Sequence, residues 1–103
     1  MIILEDVTGF DWDEGNSRKN DHHSVSMAET EQVFFSAPLL MLPDAVHSQT
    51  ETRCHVLGRT LEGRHLHVTF TLRGGGKLIR PISARDMSRK ERAQYEQATQ
   101  SST

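Results

Sequence analysis

Between Arg64 and Arg73, apolar and polar positions alternate without a break. Leu66, Val68, Phe70 and Leu72 fall on one face of an extended chain, and His65, His67, Thr69, Thr71 and Arg73 on the other. A period of two marks a half-buried strand. Glu62-Gly63 precedes this run and Gly74-Gly75-Gly76 follows it. Glycine accepts the positive φ of tight turns, so both stretches read as hairpin connections. The pattern predicts a three-stranded antiparallel meander over 53–61, 64–73 and 77–85, with 64–73 in the middle. One face is apolar and needs a cover. The other is rich in Arg, His and Thr. Pro81 in the third run lacks a ladder donor, which predicts an edge, a bulge or an unpaired side there.

The first half of the chain reads as that cover. Residues 7–12 are a short strand candidate. Asp13 then caps a helix running to about residue 22, with Glu14 in the first turn where the dipole favours acid. Ser26 followed by Glu29 is a capping box, and its helix extends to about residue 35. Met27, Val33 and Phe34 can form its apolar stripe. Pro38 ends it, residues 39–42 read as a buried strand, Pro43-Asp44 as a turn and residues 45–51 as a polar loop. Ser88 and Glu91 form a second capping box, opening a basic helix to about residue 98. Phe34, Phe35 and Phe70 read as core, and Tyr95 as packing on the sheet with Met87. The fold class expected is α+β, one domain over 1–99, with 100–103 a disordered tail.

Composition sharpens this picture in two places. With 103 residues the chain can bury one core of modest depth. Net charge is −2, but its halves differ. Residues 1–50 carry two basic and nine acidic side chains, whereas residues 51–103 carry ten basic and five acidic. The basic excess sits on the strands and the last helix, where it can attract a polyanion or simply be a solvated face. The longest apolar run, 37–42, is too short to span a bilayer. No basic leader with a cleavage site is read at the start, so a cytoplasmic location without membrane association is expected. Cys54 is the single cysteine, which excludes an internal disulfide.

FDWDEGN near the start, the HSVS helix start, EQVFF, LGRT…GR…FTLR, IRPISAR and SRKER..YE resemble, in this order and spacing, the BrnT toxins. These are the ribonuclease halves of BrnT–BrnA toxin–antitoxin modules, and the resemblance covers about residues 10–96. It implies a RelE-like fold: two short helices, an antiparallel sheet and a final helix. It implies metal-independent RNA cleavage that stops translation, with no cofactor. It also implies a small antitoxin partner with a ribbon-helix-helix end, through which alone the complex would meet DNA. Arg59 of GRT and Arg85 of SAR match positions assigned to activity in the family. The family's Lys-His-Gly before the second helix is replaced here by His22-His23-Ser24, with His22 at the lysine and His23 at the histidine.

The chemistry implied needs a base for the 2′-hydroxyl, positive charge at the phosphate and an acid for the leaving 5′-oxygen. Arginine suits the second role, because its planar fork pairs with phosphate oxygens and stays charged. His22 and His23 are the proton-transfer candidates, since imidazole titrates near neutral pH. Alternation puts Arg53, His55 and Arg59 on one strand face, and Arg85 on the parity of Ser83. Arg80 has the opposite parity, so it faces away from Arg85 unless Pro81 marks a bulge. Arg53, His55, Arg80 and Tyr95 are the candidate substrate contacts, Tyr95 by stacking on a base. His65 and His67 share a face at a spacing used in some metal sites, but Cys54 is a poor third ligand and no metal site is assigned. Two other readings stay open: a non-catalytic module binding antitoxin or RNA through the same face, and a metal-dependent hydrolase using the histidines.

Overall fold

The computed structural model describes residues 4–21, 24–43 and 53–100. In chain order these form β1 (Gly9–Phe10), α1 (Glu14–Asp21), α2 (Met27–Phe35), β2 (Leu40–Pro43), β3 (Arg53–Arg59), β4 (His65–Arg73), β5 (Leu78–Asp86) and α3 (Arg89–Gln100). The sheet has five strands in the order β1-β5-β4-β3-β2. The meander stands as its pattern predicts, with β4 hydrogen-bonded to β3 on one side and β5 on the other. Its turns use the glycines: Gly63 has φ 91, and Gly74, Gly75 and Gly76 have φ 61, 68 and 92. The fold is α+β, but the sheet is mixed rather than antiparallel. β1 runs parallel to β5, with Gly9 opposite Leu78 and Phe10 opposite Ile79. The long stretch between them, containing both early helices, allows a parallel return that no hairpin could make.

The helix starts follow their local signals. Asp13 caps α1: its Oδ1 accepts from Asn16 N at 3.1 Å, and Asn16 Oδ1 accepts from Asp13 N at 2.7 Å. The buried Asn16 amide then donates to Asp11 O and to Pro81 O, each at 2.9 Å, tying α1 to β5. Ser26 and Glu29 form the reciprocal box at α2, and Ser88 and Glu91 do so at α3. α3 continues through Gln100, so that residue is helical rather than tail. The rest of the predicted tail, residues 101–103, lies outside the described residues, as do the 45–51 loop, Asp44 of the predicted turn, and His22 and His23. Among the described residues, no helix is long and apolar enough to cross a membrane.

The apolar face of the meander carries the core. Val25, Val33, Val56, Leu66, Val68, Phe70, Ile79 and Ala84 are buried together, with Phe34 packed against them and meeting Phe70 edge-on. α2 lies close enough on β3 that a Cβ at Gly58 would stand 2.8 Å from Val33 Cγ1. Two core expectations fail here. Phe35 is 79% exposed, because it follows Phe34 on a helix and so points away from the sheet. β2 is an edge strand with Leu40 and Leu42 half-buried and Met41 exposed, rather than a buried one.

The opposite face is also covered at one end. Leu57 on β3 is fully buried although it lies among polar neighbours, and Tyr95 of α3 is 2% exposed. Tyr95 meets His65 edge-on at 5.7 Å and donates its hydroxyl hydrogen to Pro38 O at 2.7 Å. The last helix thus closes over part of the Arg/His/Thr face, and the tyrosine is anchored to the β2 approach.

Candidate functional site

Cross-strand partners share a face, so the register lays out the polar surface row by row. Arg59 stands beside His65; Leu57 beside His67 and Arg85; His55 beside Thr69 and Ser83; Arg53 beside Thr71 and Arg80. Strict alternation along β5 would have put Arg80 on the core side. It does not, because Phe70 pairs with Pro81 while Thr69 pairs with Ser83, leaving Ile82 as the extra residue of a bulge. Pro81 itself is buried on the core side. The bulge therefore resets parity, and Arg80 joins Arg85 on one face.

The sequence-derived candidates differ in their partners. Arg80 is held by Asp13 at 3.0 Å and Asp11 at 3.4 Å, which raise its pKa and lower that of Asp13. Tyr95 is buried, so its ring is engaged by the fold. Arg59 is exposed and, among the described residues, pairs with no carboxylate. By register it lies two strands from Arg85 and one row along, a Cα separation of about 12 Å from ordinary strand spacings. His55 is half-buried and shares a 2.8 Å hydrogen bond between its Nδ1 and Thr69 Oγ1. Arg53, half-buried, is the first residue of β3.

Arg85 is the most constrained of these groups. Its Nη1 and Nη2 donate to Glu91 Oε1 and Oε2 at 2.8 and 2.9 Å, and Nη1 also donates to Asp86 O at 3.1 Å. The pairing holds the Glu91 carboxyl down at about 2 and raises the arginine's pKa further. Glu91 is fixed from behind, since Oε1 also accepts from Ser88 N at 2.8 Å. Its Oε2 lies 3.8 Å from His67 Nε2, beyond hydrogen-bond range.

His67 is 8% exposed, its ring 5.1 Å from that of His55, and among the described residues its buried Nδ1 has no hydrogen-bond partner. Burial, then the Arg85 charge, pushes its pKa down, against a smaller upward pull from Glu91. Burial, then Arg92 and Arg59, does the same for His65. Both imidazoles are thereby biased to the neutral form, the one able to accept a proton. Among the described residues no three His, Cys, Asp or Glu side chains are grouped to hold a metal ion. His65 faces Tyr95, His67 lies between His55 and Glu91, and Cys54 is buried in the core cluster.

In the sequence, His67 reads as half of a metal spacing and Glu91 as a helix cap, and neither as part of an arginine clamp. The alternation already put His67 on the right face. Nothing local announced the clamp, because it needs the turn after β5 to swing α3 back over the strand.

No curated protein matches the chain. The family model for BrnT, a ribonuclease toxin of type II toxin–antitoxin systems, matches residues 12–91. That span runs from the approach to α1 through every strand of the meander to Glu91. The chain therefore belongs to the BrnT family of ribonuclease toxins of type II toxin–antitoxin systems.

Proposed function

We propose that the protein is a metal-independent endoribonuclease that cleaves RNA and blocks translation, working from the polar face of the meander. The observation carrying this reading is the row-by-row convergence of Arg53, His55, Arg59, His67 and Arg85 on that face. Arg59 and Arg85 neutralise the charge that builds on the phosphate as the 2′-oxygen attacks. His22 and His23 serve as proton-transfer groups, and Arg53 and His55 contact the strand. Arg80 and Tyr95, tied to other partners, serve the scaffold more than the substrate. A RelE-like arrangement and a cytoplasmic site of action belong to the same proposal. So does silencing by a ribbon-helix-helix antitoxin that covers the basic face and excludes RNA.

The test is cleavage of total RNA by purified protein, with and without EDTA and ribosomes. Arg59→Ala and Arg85→Ala should each lower the rate by roughly a hundredfold, the scale for losing one transition-state charge contact. EDTA should leave the rate intact. Full activity in both variants would remove this face as the site, and EDTA-sensitive cleavage would favour a metal-dependent reaction. No cleavage under any condition would favour a module that binds antitoxin or RNA without turnover.

A further inference from the structure

We propose that Glu91 is a positioning residue that clamps one edge of the Arg85 guanidinium and presents the other edge to a single RNA phosphate. The inference rests on the ribonuclease reading above and assigns to α3 a part in it. A guanidinium carries five N–H donors on two usable edges, one formed by Nη1 and Nη2 and one by Nε and Nη2. Glu91 takes the first edge with both oxygens, and Asp86 O takes the remaining Nη1 hydrogen. Nε and the second Nη2 hydrogen are left, and among the described residues nothing accepts from them. Those two parallel donors have the spacing that pairs with two phosphate oxygens. The Arg85 side chain is 38% exposed while that of Glu91 is 19% exposed, so the guanidinium keeps access to solvent beside a largely covered carboxylate.

A carboxylate beside an anion seat also repels the anion, so orientation must outweigh repulsion. Two observations favour orientation. Glu91 does not swing freely, because leaving Arg85 would also disturb its bond to Ser88 N at the start of α3. Arg59, two strands away on the same face, supplies attraction that no described carboxylate offsets. A strand held by Arg59 would then meet an Arg85 already turned to receive the next phosphate, instead of a side chain searching its rotamers.

The experiment measures kcat and KM on a short single-stranded RNA for the unaltered protein, Glu91→Gln, Arg85→Ala and Ser88→Ala. Alongside it, the Arg85 Nε–Hε NMR signal is followed while a 2′-deoxy analogue of that RNA is added. Glu91→Gln keeps the shape but loses one acceptor, and should lower kcat by about tenfold or more with a smaller change in KM. Ser88→Ala weakens the helix cap without touching Arg85, and should keep kcat within about threefold. The Nε–Hε signal should shift with the analogue in the unaltered protein and less in Glu91→Gln. Faster cleavage or tighter analogue binding by Glu91→Gln would overturn the proposal and make the carboxylate a competitor of phosphate. An equal loss in Glu91→Gln and Ser88→Ala would overturn it too, since capping alone would explain it. If Arg85→Ala abolishes cleavage while Glu91→Gln is silent, the clamp proposal falls and the ribonuclease site stands. If Arg85→Ala is silent, Arg85 holds no phosphate and the clamp proposal falls, while the face as a site then depends on Arg59→Ala.

Discussion

Arg85→Ala tests whether the clamp is also structural. A surface arginine ordinarily contributes little to stability, and the sequence alone offers no reason to treat Arg85 otherwise. The geometry does. Glu91 drops from 4.5 to about 2 with Arg85 as its main cause, and loses that partner in the variant while remaining mostly covered. For a pair fully shielded from water this depression corresponds to roughly 3 kcal/mol. Arg85 is 38% exposed, so water screens the pair, and about 1–2 kcal/mol is the expected loss at pH 7. For a domain of this length each kcal/mol is roughly 4–8 °C in Tm. The sign with pH follows from a folded-state carboxyl pKa below the unfolded one. The contribution is complete above about pH 4.5 and is lost as pH falls toward about 2. Urea unfolding of both proteins at pH 7 and pH 3, followed by Trp12 fluorescence, should show the difference shrinking by more than half at pH 3. A loss below about 0.3 kcal/mol at pH 7, or one equally large at pH 3, would refute the reasoning. Arg59→Ala is the comparison, expected to lie within about 0.5 kcal/mol of the unaltered protein.

Three further outcomes follow from the same geometry. Arg64 ties Ser24 O, Glu29 and Asp86 together at 2.8–3.3 Å, so Arg64→Ala should cost about 2 kcal/mol in urea unfolding. Arg64→Lys should not restore it, because one ammonium cannot span three partners; full rescue by lysine would show the clasp to be a simple charge effect. Gly58→Ala, which drives a methyl to 2.8 Å from Val33 Cγ1, should cost about 1–3 kcal/mol by the same measurement, and a neutral result would mean that α2 sits less tightly on β3. His65 and His67 have folded pKa values below that of free imidazole, so stability should fall as pH drops through about 6.5 and recover above it. His67→Gln should flatten that dependence, and a protein that gains stability from pH 7.5 to 5.5 would contradict buried, neutral imidazoles.

Much of the fold was legible because its signals are local. The alternation through β4, the glycines at both turns, the Asp13 cap and the Ser–Glu boxes at α2 and α3 each act within a few residues of chain. They decide element type and, through short hairpins, which strands are neighbours. The candidate site was legible in the same way only along single strands, as with Arg53, His55 and Arg59 on one face of β3.

Contacts between distant residues decided everything else. Whether β1 pairs parallel to β5 depends on a stretch of chain folding back over the sheet, which no periodicity encodes. Asn16 bonds Pro81 O across 65 residues, and Arg64 reaches Ser24 across 40. Leu57 lies among polar side chains in its row, yet it is fully buried, on the face where Tyr95 of α3 packs against His65. The bulge at Ile82 mattered most for the site. One extra residue in β5 reversed the side on which Arg80 stands, since a strand's side chains change face at every step. Residue types and spacing thus determined which chemistry was present on this chain. Only the register of β5 against β4, and the return of α3 over Arg85, determined which of those groups share a surface and which are already held by a partner.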